Sequence, residues 1–110
     1  MRKLNALVID GDSSSRHVVQ KLLEQAGFTV EATSLGQEGL TLARKSRFNL
    51  VCCGDRQADI TGSEFCSKVR AIPGYDFVPV IVLAAEDNSR TLKQALLAGA
   101  TDIFSKDDLT

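Results

Sequence analysis

The chain has 110 residues, 44% of them hydrophobic and 25% charged, and thirteen basic against fourteen acidic side chains leave a net charge of -1. That length suits one domain, and the near-neutral balance excludes a general electrostatic attraction to nucleic acid or an anionic membrane. No stretch is long and apolar enough to span a bilayer, and the first apolar run meets Asp10 too early for a signal peptide, so a cytoplasmic location is expected.

Leu4 to Ile9 is a largely apolar run, and Ser13, Ser14 and Ser15 offer capping hydroxyls ahead of a periodic stretch, which reads as strand then helix. In that helix Val18, Val19, Leu22, Leu23 and Ala26 recur at helical spacing, with Gly27 as the stop. Phe28 to Ala32 follows as a second strand. A helix from near Gly36 turns Leu40 and Ala43 inward and ends around Lys45 and Ser46, before a third strand from Phe48 to Cys53. Gly62 opens a helix with Phe65, Cys66 and Val69 on one face, and Pro73-Gly74 ends it. Pro79 to Leu83 is the most apolar run in the chain and belongs in the sheet interior. Leu92, Ala95 and Leu96 mark a fourth helix stopped by Gly99, and Asp102 to Ser105 gives a fifth strand.

Strict alternation of strands and helices implies an α/β fold, an open parallel sheet with helices on both faces. Sites in such sheets form at the carboxyl ends of the strands. Here those ends are Asp10-Gly11-Asp12, Gly54-Asp55-Arg56, Ala84-Ala85-Glu86 and Ser105-Lys106-Asp107, so Asp10, Asp12 and Asp55 are expected to converge with Lys106. Cys52, Cys53 and Cys66 are odd in number and form no metal or disulfide pattern; they read as small core residues. His17 reads as a surface side chain, and Arg44, Lys45 and Arg47 as cations that complement a helix C-terminus.

The chain resembles a receiver domain of two-component response regulators over essentially its whole length. The likeness rests on Leu7-Val8-Ile9-Asp10 with Asp12-Ser13-Ser14-Ser15-Arg16, on Asp59-Ile60-Thr61-Gly62, on Pro79 to Ala85, and on Ala95-Leu96-Leu97-Ala98-Gly99-Ala100-Thr101-Asp102 leading to Ser105-Lys106. It implies a flavodoxin-like, doubly wound five-stranded parallel sheet of order 2-1-3-4-5, with the last helix absent or truncated after Asp107-Asp108-Leu109-Thr110. It also implies a receiver-like domain over residues 1–110, cut from a longer protein.

Active receivers hold magnesium with two adjacent acids after the first strand, and an aspartate ending the third strand accepts the phosphoryl group. A hydroxyl after the fourth strand and a lysine after the fifth complete the site. Laid on that pattern, Asp10 and Lys106 keep their family identities, while the second acid falls on Gly11 and the acceptor on Gly54. The switch hydroxyl falls on Ala84 and its aromatic partner on Ile103, and Met-Pro of the loop becomes Gln57-Ala58. These losses imply a pseudo-receiver that works without aspartyl phosphorylation, with no cofactor, no magnesium and no catalytic residue. Asp55 is the acceptor only if the third strand slips by one residue. Arg56, in the position whose carbonyl ordinarily ligates magnesium, is a candidate substitute for the metal, as is Lys106, each able to neutralise the acids.

A second resemblance competes. Asp10-Gly11-Asp12-Ser13-Ser14 is similar to the nucleophile loop of haloacid-dehalogenase-type phosphatases, in which Asp10 would attack phosphate and Asp12 serve as acid/base. Against it, no downstream acidic pair closes a metal site and the chain is short. The receiver likeness instead implies signalling through a protein partner or an attached output domain, at the fourth-helix and fifth-strand face bordered by Arg90, Lys93 and Gln94. Apolar surface beside the first and fifth strands invites a homodimer or a partner helix. No nucleic acid or membrane is expected to bind this domain.

Overall fold

Alternating apolar runs and amphipathic stretches fold as strands and helices in a computed structural model that describes residues 3–85 and 89–109. The strands are β1 (Leu4–Ile9), β2 (Phe28–Thr33), β3 (Leu50–Gly54), β4 (Val80–Ala84) and β5 (Asp102–Ser105). Between them lie α1 (Ser13–Gln25), α2 (Gly36–Lys45), α3 (Gly62–Arg70) and α4 (Ser89–Leu97), and a single 3₁₀ turn spans Lys106–Leu109. Every pairing is parallel, as the alternation of elements predicts, and the order is β2-β1-β3-β4-β5, as the receiver resemblance implies. Glu86 and Thr110, expected at a strand end and at the start of a last helix, lie outside the described residues.

Because successive strand side chains point to opposite faces, the sheet sorts its apolar residues into two layers. Leu7, Ile9, Val51, Cys53, Val80 and Val82 pack with Leu40, Phe65, Val69, Tyr75 and Ala95 of the α2–α3–α4 side. Val8, Cys52 and Leu83 pack with Val19 of α1 on the other side, with Leu109 against them. This second layer is thinner than the periodicity of α1 suggests. Of the five apolar residues expected inward on that helix only Val19 is buried, and Leu22 is 49% exposed. Among the described residues only α1 and the 3₁₀ turn cover that face, so Phe104 of β5 is also half exposed.

The three cysteines are buried and free. Burial pushes the Cys52 thiol up to about 12 and raises those of Cys53 and Cys66. They are therefore inert thiols, small apolar residues of the core.

Local polar contacts fix the ends of the helices. The α1 cap is Asp12, whose carboxylate accepts the Ser14 N–H at 3.0 Å, rather than one of the serines. An acid reaches this N–H as well as a hydroxyl does, and Ser15 is left to turn inward. Thr61 and Glu64 form a reciprocal capping box on α3. Leu35 gives α2 no side-chain cap; Asp59, from the β3–α3 loop, bonds the N–H groups of Gly36 and Gln37, both at 2.9 Å. At the other end of α2, the buried Tyr75 hydroxyl lies 2.8 Å from the carbonyl oxygens of both Ala43 and Ser46 and accepts the Phe48 N–H at 3.3 Å. That bond draws Phe48 away from the sheet, and β3 starts at Leu50, two residues later than its apolar run.

Candidate functional site

Val8 and Cys52 face the α1 layer, so strand alternation carries Asp10 and Gly54, each two residues further on, to that same face at the carboxyl edge. Asp10 is 0% exposed. Its Oδ2 accepts the Ser15 hydroxyl at 2.6 Å, and its Oδ1 accepts Lys106 Nζ at 3.1 Å and the Asp12 N–H at 3.0 Å. A buried carboxylate is tolerated only when it is paired and hydrogen-bonded, and these three donors supply both conditions. Arg16 holds the turn from the other side, donating from Nη1 to the Asp10 carbonyl oxygen at 2.7 Å.

Gly54 explains where the Asp10 side chain lies. A Cβ at position 54 would stand 2.7 Å from Asp10 Oδ1 and 2.9 Å from its Cγ, so Asp10 leans into space that any larger residue would claim. Position 11 is roomier: a Cβ there would meet the Arg56 carbonyl oxygen at 3.4 Å, ordinary contact. Gln57 folds beneath the loop and donates from Nε2 to the Gly54 carbonyl at 2.7 Å. Its Oε1 is buried without a hydrogen-bond partner among the described residues.

The expected convergence of acids is therefore partial. Asp10 and Lys106 meet, whereas the Asp12 carboxylate turns to its own helix. Asp55 points to a different place, a cleft of about 570 Å³ between α3 and α4 whose lining includes Arg56, Ser63, Thr91 and Gln94. Its Oδ2 accepts the Ala85 N–H at 3.3 Å. Arg56 is exposed and lines that same cleft, with its backbone bridged to Thr61; the cation that reaches Asp10 is Lys106. Ala84 is buried in register with Ser105, and with Ile103 it lines a small cavity of about 140 Å³ that neither fills with a hydroxyl or a ring. Among the described residues no three His, Cys, Asp or Glu side chains gather as a metal site.

The strand order, the pairing of Asp10 with Lys106 across the sheet edge and the glycine at the end of β3 all lie within a segment that a family model recognises. The model for the response regulator receiver domain matches residues 6–109. The chain belongs to the response regulator receiver family. Among curated proteins this receiver is 31% identical over 104 residues to the transcriptional regulatory protein ZraR of Salmonella typhimurium, covering 94% of the chain and 23% of that protein. It is 26% identical to an uncharacterized 14.6 kDa protein of Leptolyngbya boryana, covering 96% of the chain and 81% of that protein. The receiver thus spans about a quarter of the length of the ZraR relatives it matches. Among solved structures it superposes on the Vibrio cholerae chemotaxis protein CheY4 with a TM-score of 0.90 at 30% identity, covering 96% of this chain and 88% of that one.

Sequence reasoning did not single out Ser15, Asp59 or Tyr75 for the contacts they make. Ser15 was legible only as one of three serines, since which of them faces Asp10 depends on the rotation of α1. Asp59 and Tyr75 act across 22 or more residues, beyond the reach of any local pattern.

Proposed function

We propose that this receiver signals by protein–protein contact without an aspartyl-phosphate cycle and without magnesium. The observation that carries the reading is the position of Asp10, packed against Gly54 where an acceptor side chain would stand. Further features support it. Gly54 supplies no carboxylate to phosphorylate, and Gly11 supplies no second carboxylate for the metal. Lys106, which in an active receiver would meet a phosphoryl oxygen, is bound to Asp10 at 3.1 Å. Magnesium asks for near-octahedral oxygen ligands, and Asp10, already holding a cation and two other donors, with one backbone carbonyl facing position 11, does not fit that demand. Ala84 and Ile103 lack the hydroxyl and the ring of the family's switch. Asp10 also presents no exposed oxygen to attack a phosphate ester, which disfavours the phosphatase reading.

In this reading the domain is one part of a longer protein, as the corresponding segment is in the ZraR relatives, and its output is regulatory. The surface of α4 with the edge strand β5 is the contact face. Leu96 and Leu97 of α4 are 49% and 78% exposed there, with Arg90 and Lys93 as charged neighbours. The test is incubation with acetyl phosphate and magnesium, read by intact-mass spectrometry beside a phosphorylatable receiver as positive control. No phosphoryl adduct is expected on this chain. An adduct localised to Asp55, accompanied by a changed amide-exchange pattern in α4 and β5, would overturn the reading in favour of phosphorylation at the displaced acid.

A further inference from the structure

Phe77 is 96% exposed, yet it does not sit on a loose loop. The segment between α3 and β4 is fastened on both sides of it. Before it, Tyr75 is buried with its hydroxyl fully engaged. Around it, Arg70 Nη1 donates to the carbonyl oxygens of Tyr75 at 2.7 Å, Val78 at 2.6 Å and Asp76 at 3.4 Å. The same guanidinium reaches Gly99 O from Nε at 2.9 Å and Thr101 Oγ1 from Nη2 at 3.1 Å, which ties the segment to the turn before β5. A phenyl ring held in water by so many contacts forgoes the stabilisation of burial, and it matters because it is continuous with the apolar lining of a cleft beside it.

Beside the ring lies an open cleft of about 490 Å³ with Phe48, Val78 and Pro79 along it and Arg47 and Asp76 at its rim. Gly74, at φ 95, leaves room for the Arg47 guanidinium to lie across it: a Cβ there would stand within 2.6 Å of its carbon. Arg47 makes one long bond, 3.4 Å to the Gly74 carbonyl, and forms no ion pair among the described residues. One patch thus carries an apolar projection and a recess large enough for it, a cation and an anion. Two-fold contacts require that combination, because each patch must supply both members of every pair. A different protein would need only one member of each.

We propose that a second copy of this chain occupies the patch, with Phe77 of each copy seated in the other's cleft and Arg47 of each facing Asp76 of the other. The rings then meet in the offset arrangement that aromatic pairs prefer. The patch lies where β3 and β4 begin, at the opposite edge of the sheet from Asp10 and Gly54, so dimerisation leaves both the acidic site and the α4–β5 face open. With one ring and one ion pair contributed per copy, the interface sits at the small end of protein contacts and the dimer is weak and concentration-dependent.

Sedimentation velocity of the whole chain from about 10 µM to about 1 mM, the range in which weak contacts of this size associate, tests the proposal. The wild type is expected to pass from monomer to dimer, and Phe77→Ser to stay monomeric with an unchanged circular dichroism spectrum. Arg47→Glu and Asp76→Arg alone should each weaken association by about tenfold, and the double variant should regain it, because each exchanged charge again meets its opposite across the axis. A wild type that is monomeric throughout overturns the proposal. So does Phe77→Ser dimerising as well as the wild type, and a double variant no better than either single one overturns the two-fold arrangement.

Discussion

Without a Cβ at position 54, Asp10 leans over the end of β3 and is held there by Ser15 and Lys106. The lysine is the only charge compensation that a fully buried carboxylate receives among the described residues. Lys106→Met keeps the aliphatic stem and removes the ammonium, so the variant strands that carboxylate. Breaking a buried pair from one side costs about 3 kcal/mol or more, and urea denaturation of Lys106→Met should show a loss of that order. A loss within about 0.5 kcal/mol, the ordinary range of surface changes, would mean that Asp10 finds water instead. At this scale the sequence was most informative where a side chain is missing. Gly11, Gly54 and Ala84 stand out against the receiver pattern without any coordinates. It was least informative about direction: Asp55, one position along, looks like a substitute acceptor on paper, and strand alternation turns it toward another cleft.

The elements themselves follow from periodicity and turn chemistry, and their ends shift by two residues or fewer where long-range contacts intervene, as Tyr75 does at Phe48. What the sequence does not disclose is how α2 is anchored. Its first N–H groups depend on Asp59, and those hydrogen bonds, that of Gln37 foremost, hold the Asp59 carboxyl below its ordinary value of 3.8. A carboxyl depressed by folding contributes stability above its unfolded pKa and loses that contribution as pH falls through the folded one. Asp59→Ala should therefore melt below the wild type at neutral pH, with the gap in Tm holding down to about the ordinary value of 3.8 and closing beneath it. A gap independent of pH would assign the effect to lost contacts of the loop rather than to the charge at the helix N-terminus.

Across the whole molecule the two faces of the sheet are unequally covered, and this asymmetry was only half visible beforehand. The periodicity of α1 turns Leu22 inward and gives no sign that it is half exposed. Leu83 and Phe104 are register partners on adjacent strands, 3% and 50% exposed, so they report on the two regimes directly. Leu83→Ala is expected to cost about 2–5 kcal/mol, as deletions in packed cores do. Phe104→Ala should cost clearly less, and equal losses in parallel denaturation curves would show that Phe104 is covered in solution.

The clasp between Asp10 and Lys106 joins residues 96 positions apart. During synthesis β1 leaves the ribosome long before its counter-charge does. The nascent sheet must then either keep the Asp10 end of β1 in water or wait, and docking of β5 becomes the step that permits the rest to close. Such a clasp can close only once nearly the whole domain is available to fold.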